Sequence, residues 1–211
     1  MKQLLDKVYN LFSQQLAKWF ILAGMVCFGL MVFISFLSNM IDFPQEAFYY
    51  IVVFAFGGLI CAGLFAGHYL NKEPVLVVAF LAYIFMLLYQ TILSDTWGAS
   101  FLANAGVPYI LHWVFELIYS LAVAAFVALA FLVYLFKFRK LKFALEISYL
   151  AALGFGFLAW IFNIVYAANG GGWTIAVVPL FQVCSLLMVP GLLEELLPGE
   201  LDAREESEAA E

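Results

Sequence analysis

Long apolar runs separated by short polar stretches follow one another along most of the chain. A run of about 18 or more apolar residues predicts a membrane-spanning helix, because a hydrocarbon core of about 30 Å needs about 20 residues at 1.5 Å each. The runs are too long for barrel strands and do not alternate as such strands would. The sequence therefore predicts an all-α polytopic membrane protein with six transmembrane helices, at 19–37, 48–70, 74–93, 109–136, 143–167 and 173–193.

The segments that flank these runs have different patterns. Over residues 1–18, leucines and other apolar side chains recur at helical spacing with charged residues between them, which predicts an amphipathic helix in the inner membrane interface. A helix packed on a partner's surface is the alternative. Residues 194–211 are acidic and nearly free of large apolar side chains, which predicts a disordered cytoplasmic tail. The six-helix domain between them covers 19–193.

The basic residues determine the predicted orientation. If the amino terminus is inside, all nine Lys and Arg residues fall on the cytoplasmic side and the opposite loops contain none. An excess of Lys and Arg marks cytoplasmic loops. We therefore expect both termini in the cytoplasm and the protein in the plasma membrane.

Composition supports the bilayer and excludes other classes. The chain is 66% hydrophobic and 11% charged, whereas soluble domains average about 45–50% and about 25%. Its net charge of −6 comes from the tail, since the other 193 residues carry eight bases and seven acids. No basic surface interleaved with aromatic residues predicts a nucleic-acid partner. The three cysteines lie within apolar runs, which favours free buried thiols over disulfides or a zinc site.

A carboxylate inside the fourth run is the most informative polar residue. Glu116 is seven residues into that run, which places it about 10 Å below the outer boundary at helical rise. His112, Tyr119 and Ser120 share its helical face. A charge near the bilayer centre costs about 2.5–3.5 kcal/mol on insertion scales, so such residues face the protein interior and have partners there.

Polar side chains of three other spans fall at similar heights in the outer half of the bilayer. The sequence therefore predicts a pocket between the third, fourth, fifth and sixth spans that binds a small polar or cationic solute. A proton-linked role is also open, because burial favours the protonated form of a carboxyl group. The alternative is that these side chains only hydrogen-bond the helices together. The predicted pocket residues are Glu116, His112, Gln90, Thr91, Tyr119, Ser120, Asn163 and Gln182.

A metal or another cofactor is not expected. His112 and Glu116 have the spacing of two metal ligands on a helix, and Asp95 is the nearest candidate for a third. Two ligands do not make a metal site.

These features predict a small transporter, channel or solute-binding membrane subunit. In size, number of spans and orientation the chain resembles the solute-binding subunits of energy-coupling-factor vitamin transporters; the AxxxA spacing typical of their first span is not present, and no residue roles are carried over. The alternative is a non-catalytic accessory or assembly subunit of a larger membrane complex, whose partners would be other membrane subunits. No GxSxG or HExxH motif indicates an enzyme. The pair Glu194–Glu195 is interpreted as a solvated helix end.

Overall fold

The computed structural model describes residues 2–42, 46–92, 107–168 and 173–196. Every regular element in these ranges is helical. This is expected in lipid, where each backbone amide and carbonyl must be satisfied within its own segment. The α-helices are α1 (Lys2–Asn10), α2 (Ala17–Asp42), α3 (Ala47–Tyr69), α4 (Glu73–Ile92), α5 (Val107–Ala130), α6 (Lys142–Ala168), α7 (Thr174–Ser185) and α8 (Val189–Leu196).

The predicted six spans are confirmed by length and composition. Six helical stretches are long and apolar enough to cross a membrane. The chain is therefore a multi-pass membrane protein. The stretches are Ala17–Ile41, Ala47–Tyr69, Glu73–Thr91, Ile110–Tyr134, Lys142–Val165 and Ala176–Leu196.

The spans form a ring in which each helix packs against two neighbours. Around the ring the order is α2, α3, α4, α5, α6 and then α7 with α8, which returns to α2. The α5–α6 pair has the most extensive contact, and the α4–α5 pair has the smallest contact of the ring. The end of the helix bundle that carries the lysines is predicted to be cytoplasmic and is called the basic end. The opposite end of the bundle is called the outer end.

Two glycines allow α3 and α4 to approach closely. A Cβ on Gly67 would lie 2.6 Å from the Cα of Leu76, and one on Gly63 would lie 2.8 Å from the Cβ of Ala79. The GxxxG spacing in this span thus serves packing within one chain, because small residues let helix backbones approach.

The amino-terminal helix is anchored to the bundle. α1 and the π-helical turn Leu11–Gln15 that follows it contact α6 and α8 at the basic end. Tyr9 is 1% exposed, and its ring meets that of Tyr149 edge-on at 5.7 Å between centroids. One face of the predicted amphipathic segment therefore covers the bundle. Its location in the membrane interface stays a prediction.

The sixth span contains a break in its α-helix. α7 continues through Pro179 and ends at Ser185. A 3₁₀ turn at Leu186–Met188 then leads into α8. Irregular backbone at membrane depth is tolerated where it is buried in protein, and Leu186 and Met188 are both buried.

Candidate functional site

His112 and Glu116 form a pair on α5 in the outer half of the bundle. The Nε2 atom of His112 lies 2.9 Å from Oε2 of Glu116, which matches the one-turn spacing in the sequence. The Glu116 side chain is 33% exposed, and that of His112 is 14% exposed. The carboxylate is thus held by the imidazole and remains accessible on one side.

Tyr119 and Ser120 follow one turn deeper and are buried. The ring of Tyr119 packs on Gly156 of α6, where an added Cβ would lie 3.0 Å from its Cδ2 atom. Among the described residues, neither hydroxyl has a hydrogen-bond partner. Leaving a buried hydroxyl unsatisfied costs about 1–3 kcal/mol. The region between α5 and its neighbours therefore contains polar groups that packing alone does not explain.

The two predicted residues of α4 have separate environments. The Thr91 hydroxyl is buried and donates to the backbone carbonyl of Leu87, 2.9 Å away, so its own helix satisfies it. Gln90 lines a cavity with residues of α2 and α3. No α5 residue lines that cavity in the described part of the chain.

The remaining predicted residues lie on α6 and α7. Asn163 is buried near the outer end of α6. Gln182 is partly buried, and its backbone carbonyl accepts a hydrogen bond of 2.7 Å from the Ser185 hydroxyl. The structure thus brings together the four α5 residues along one helix, while Gln90 lies on the α2 and α3 side. Asp95, the potential third metal ligand, lies outside the described residues.

The cavity beside Gln90 has a volume of about 210 Å³. It lies between the outer halves of three helices, with Ser35 and Asn39 from α2 and Tyr50 from α3. The rings of Phe36 and Phe54 stack at 4.5 Å between centroids and also line it. The lining therefore combines amides and hydroxyls with aromatic rings.

A buried hydrogen-bonded chain joins α4 to α7 deeper in the bundle. The Tyr83 hydroxyl lies 2.8 Å from Oγ of Ser185. Because a serine hydroxyl carries one proton, and that proton is directed at the Gln182 carbonyl, Tyr83 is the donor to Ser185. Tyr119 lies nearer the outer end, but its hydroxyl makes no hydrogen bond within the described ranges and so does not belong to this chain.

A second polar cluster lies at the basic end and was not predicted. The Tyr134 hydroxyl donates to Oε1 of Glu194 at 3.0 Å. Nδ1 of His68 lies 2.6 Å from Oε2 of Glu195. Glu195 is exposed at the end of α8, as the interpretation of a solvated helix end expects, but both carboxylates also have partners on other spans. The sequence did not indicate these partners because it does not show that the second and fourth spans end beside α8.

Glu146 is the most deeply buried carboxylate of this cluster, with 1% exposure. It lies one turn into α6, where it acts electrostatically on Tyr9, as Glu194 also does. The phenol of Tyr9 in turn lies next to that of Tyr134. Tyrosines are counted as apolar in hydropathy patterns, and for that reason they did not mark this cluster in the sequence.

The amino-terminal helix gives Tyr9 an unusual environment for a residue outside the spans. Burial has the largest effect and raises its pKa above the ordinary value. The hydrogen bond with Tyr134 has the next largest effect and lowers the pKa, and the charges of Glu194 and Glu146 add smaller increases. The phenol therefore stays protonated throughout the physiological range and can donate and accept hydrogen bonds.

A further cavity of about 280 Å³ lies in the basic half, where α4 and α5 pack least. Residues of α4, α5 and α8 line it, and nearly all of them are apolar, for example Phe80, Val127 and Leu193. Tyr134 contributes a polar group at its basic end. Its chemistry fits hydrocarbon and does not fit a polar solute.

Groups that would hold a metal are not assembled in the part of the chain that the structure describes. No three His, Cys, Asp or Glu residues there lie close enough together to share an ion.

Comparison of the chain with family models, curated proteins and solved structures gives no match. The resemblance to the solute-binding subunits of vitamin transporters therefore rests on topology alone.

Proposed function

We propose that this membrane protein binds or conducts a small polar or cationic solute that enters from its outer side, as a transporter, channel or solute-binding subunit. The observation that carries the proposal is the 210 Å³ cavity between α2, α3 and α4. Its volume is below the range of about 300–1,000 Å³ usual for drug-sized ligands, which favours a small solute. The proposal assigns no catalytic step to the chain.

The lining favours a cation among small solutes. Aromatic faces attract cations, by about 0.5–2 kcal/mol depending on desolvation, and the stacked rings of Phe36 and Phe54 offer such faces. The amide oxygens of Asn39 and Gln90 accept hydrogen bonds from an ammonium or guanidinium group.

Charge at the cavity supports the same solute class. The Tyr50 hydroxyl, which lines the cavity, donates to Oε2 of Glu46 at 3.1 Å, and Glu46 is exposed. The loops predicted to lie outside carry acids and no Lys or Arg. A mouth of one charge sign raises the local concentration of the opposite ion.

The test uses purified protein in nanodiscs and a panel of tetramethylammonium, guanidinium and ethylammonium with uncharged analogues of similar size. A ligand at one hundred times its Kd stabilises the folded state by about 2.7 kcal/mol, which a thermal unfolding curve resolves. We expect at least one cation to stabilise the wild type, and Gln90→Leu to abolish the effect. The matched control is Tyr89→Phe, at the neighbouring exposed position on α4.

Two results would contradict the proposal. One is a panel in which uncharged analogues stabilise the protein as well as the cations do. The other is a Gln90→Leu variant that keeps the wild-type response. The accessory-subunit alternative stays a prediction, and recovery of stoichiometric membrane partners together with either result would favour it.

A further inference from the structure

The polar residues that the proposed solute site leaves unused form a column through the bundle. It begins at His112 and Glu116 in the outer half and ends at Glu146 and Glu194 at the basic end. Glu116 and Tyr134 belong to one span and are 18 residues apart, which corresponds to about 27 Å at helical rise. That length is close to the hydrocarbon thickness of about 30 Å.

The outer part of the column contains one side-chain hydrogen bond and one buried hydroxyl without a partner. Tyr119 lies one turn below Glu116, and its hydroxyl makes no hydrogen bond within the described ranges. Tyr83 donates to Ser185 at 2.8 Å. Polar groups of α4, α5 and α7 thus lie between the carboxylate and the middle of the bundle, and only Tyr83 and Ser185 among them are joined by a direct hydrogen bond.

The inner part continues from the break in the sixth span. The Tyr149 hydroxyl donates to the backbone carbonyl of Leu186 at 3.3 Å, directly after Ser185. The Tyr149 ring packs edge-on against Tyr9, and its electrostatic neighbours are Tyr9 and Tyr83. Tyr9 then adjoins Tyr134, which donates to Glu194.

We propose that this column is a proton pathway between the outer half of the bilayer and the basic end. Intramembrane carboxylates and histidines arranged in chains mark proton relays. Each hydroxyl in the path accepts one proton on its oxygen and releases its own to a bridging water or to the next hydroxyl, so that no phenol is left charged. Ser185 and Tyr149, whose hydroxyls donate to backbone carbonyls in this structure, must rotate toward a water before they release a proton. The average axial step from Glu116 to Tyr134 is about 5 Å, so water molecules that bridge the tyrosines are part of the proposal.

Two observations distinguish this column from hydrogen bonds that merely join helices. The hydroxyls of Tyr119, in the path, and of Ser120, beside it, are buried and have no hydrogen-bond partner within the described ranges, so each offers a place for a bridging water. Glu146 is buried at the other end, and a carboxylate is costly to bury unless it is paired or protonated. The proposal adds an energy source to the proposed solute site but does not depend on that site.

The pathway is tested in proteoliposomes that contain pyranine, with a potassium gradient and valinomycin to drive protons inward. We expect the wild type to acidify the lumen at least tenfold faster than vesicles without protein. Tyr83→Phe and Tyr149→Phe remove single oxygen atoms from the path and should each lower the rate at least tenfold. Tyr69→Phe and Tyr89→Phe change exposed tyrosines on α3 and α4, 52% exposed in each case, and should leave the rate unchanged.

The entrance and a second link provide independent variants. Glu116→Gln and Ser185→Ala should also lower the rate, while circular dichroism of all variants matches the wild type. Wild-type flux no greater than that of empty vesicles overturns the pathway, as does full flux in both Tyr83→Phe and Tyr149→Phe. Equal loss in the exposed-tyrosine controls overturns it too. If cations still stabilise the protein but no proton flux is observed, the proposed solute site stands and only the proton pathway is refuted.

Discussion

Replacing Gly67 by alanine should weaken the fold by wedging α3 away from α4. The new Cβ would lie 2.6 Å from the Cα and 2.7 Å from the backbone N of Leu76. Carbon atoms pack best at about 3.5–4.0 Å, so the helices must separate locally by about 1 Å. Both atoms belong to the backbone, and no side-chain rotation can relieve the overlap. Overpacking of this kind costs about 1–3 kcal/mol.

Gly58→Ala is the matched control on the same helix. Nothing lies within 4 Å of a Cβ at that position. Alanine favours a helix over glycine by about 1 kcal/mol, and this term cancels between the two variants. We therefore expect Gly67→Ala to be less stable than Gly58→Ala by about 1–3 kcal/mol, measured as the free energy of unfolding by SDS in mixed micelles. Equal stabilities of the two variants would refute the packing argument.

Three further predictions follow from other contacts. Because the pKa of Tyr9 is raised in the folded state, the unfolded state releases the phenol proton first, and the folded state should lose stability above pH about 10, by about 1.4 kcal/mol per pH unit. Tyr9→Phe should remove the part of this pH dependence that comes from this one proton, measured by hydrogen exchange of the α1 amides at increasing pH. His68→Ala should lower the free energy of unfolding by about 0.5–1.5 kcal/mol through loss of its contact with Glu195, and a larger loss from an alanine at an exposed lysine would contradict this. Gly24→Ala should cost about 1–3 kcal/mol in the same unfolding assay, because its Cβ would lie 2.7 Å from the backbone N of Met188; an unchanged stability would contradict the contact.

The spans could be predicted because their signal is local. Length and apolar content determine whether a segment can cross a bilayer, and neither depends on the neighbouring helices. The first span, predicted at 19–37, is observed at Ala17–Ile41. The end of the sixth was placed at residue 193, whereas α8 continues to Leu196. That boundary differs because Glu194 and Glu195 appear solvated in sequence but have partners on other helices.

The polar site was only partly predictable, because it depends on how the helices are arranged. The contact between His112 and Glu116 follows from their four-residue spacing. The environment of Gln90 does not, since a helical pattern gives the position of a side chain around its own helix and not the identity of the facing helix. The packing order of the ring places Gln90 toward α2 and α3. The anchoring of Tyr9 in the bundle likewise depends on the docking of α1, for which the sequence has no local signal.

The two proposals meet on α4. Gln90 lines the solute cavity, and Tyr83 belongs to the proton column. Seven residues separate them, so they lie on nearly the same helical face about 10 Å apart along the axis. α4 also has its least extensive ring contact with α5, so a displacement relative to α5 disrupts little packing. Such a displacement would change the cavity and the Tyr83–Ser185 hydrogen bond together. Proton flux should therefore change when tetramethylammonium binds in the wild type, and the change should be absent in Gln90→Leu while its basal flux persists.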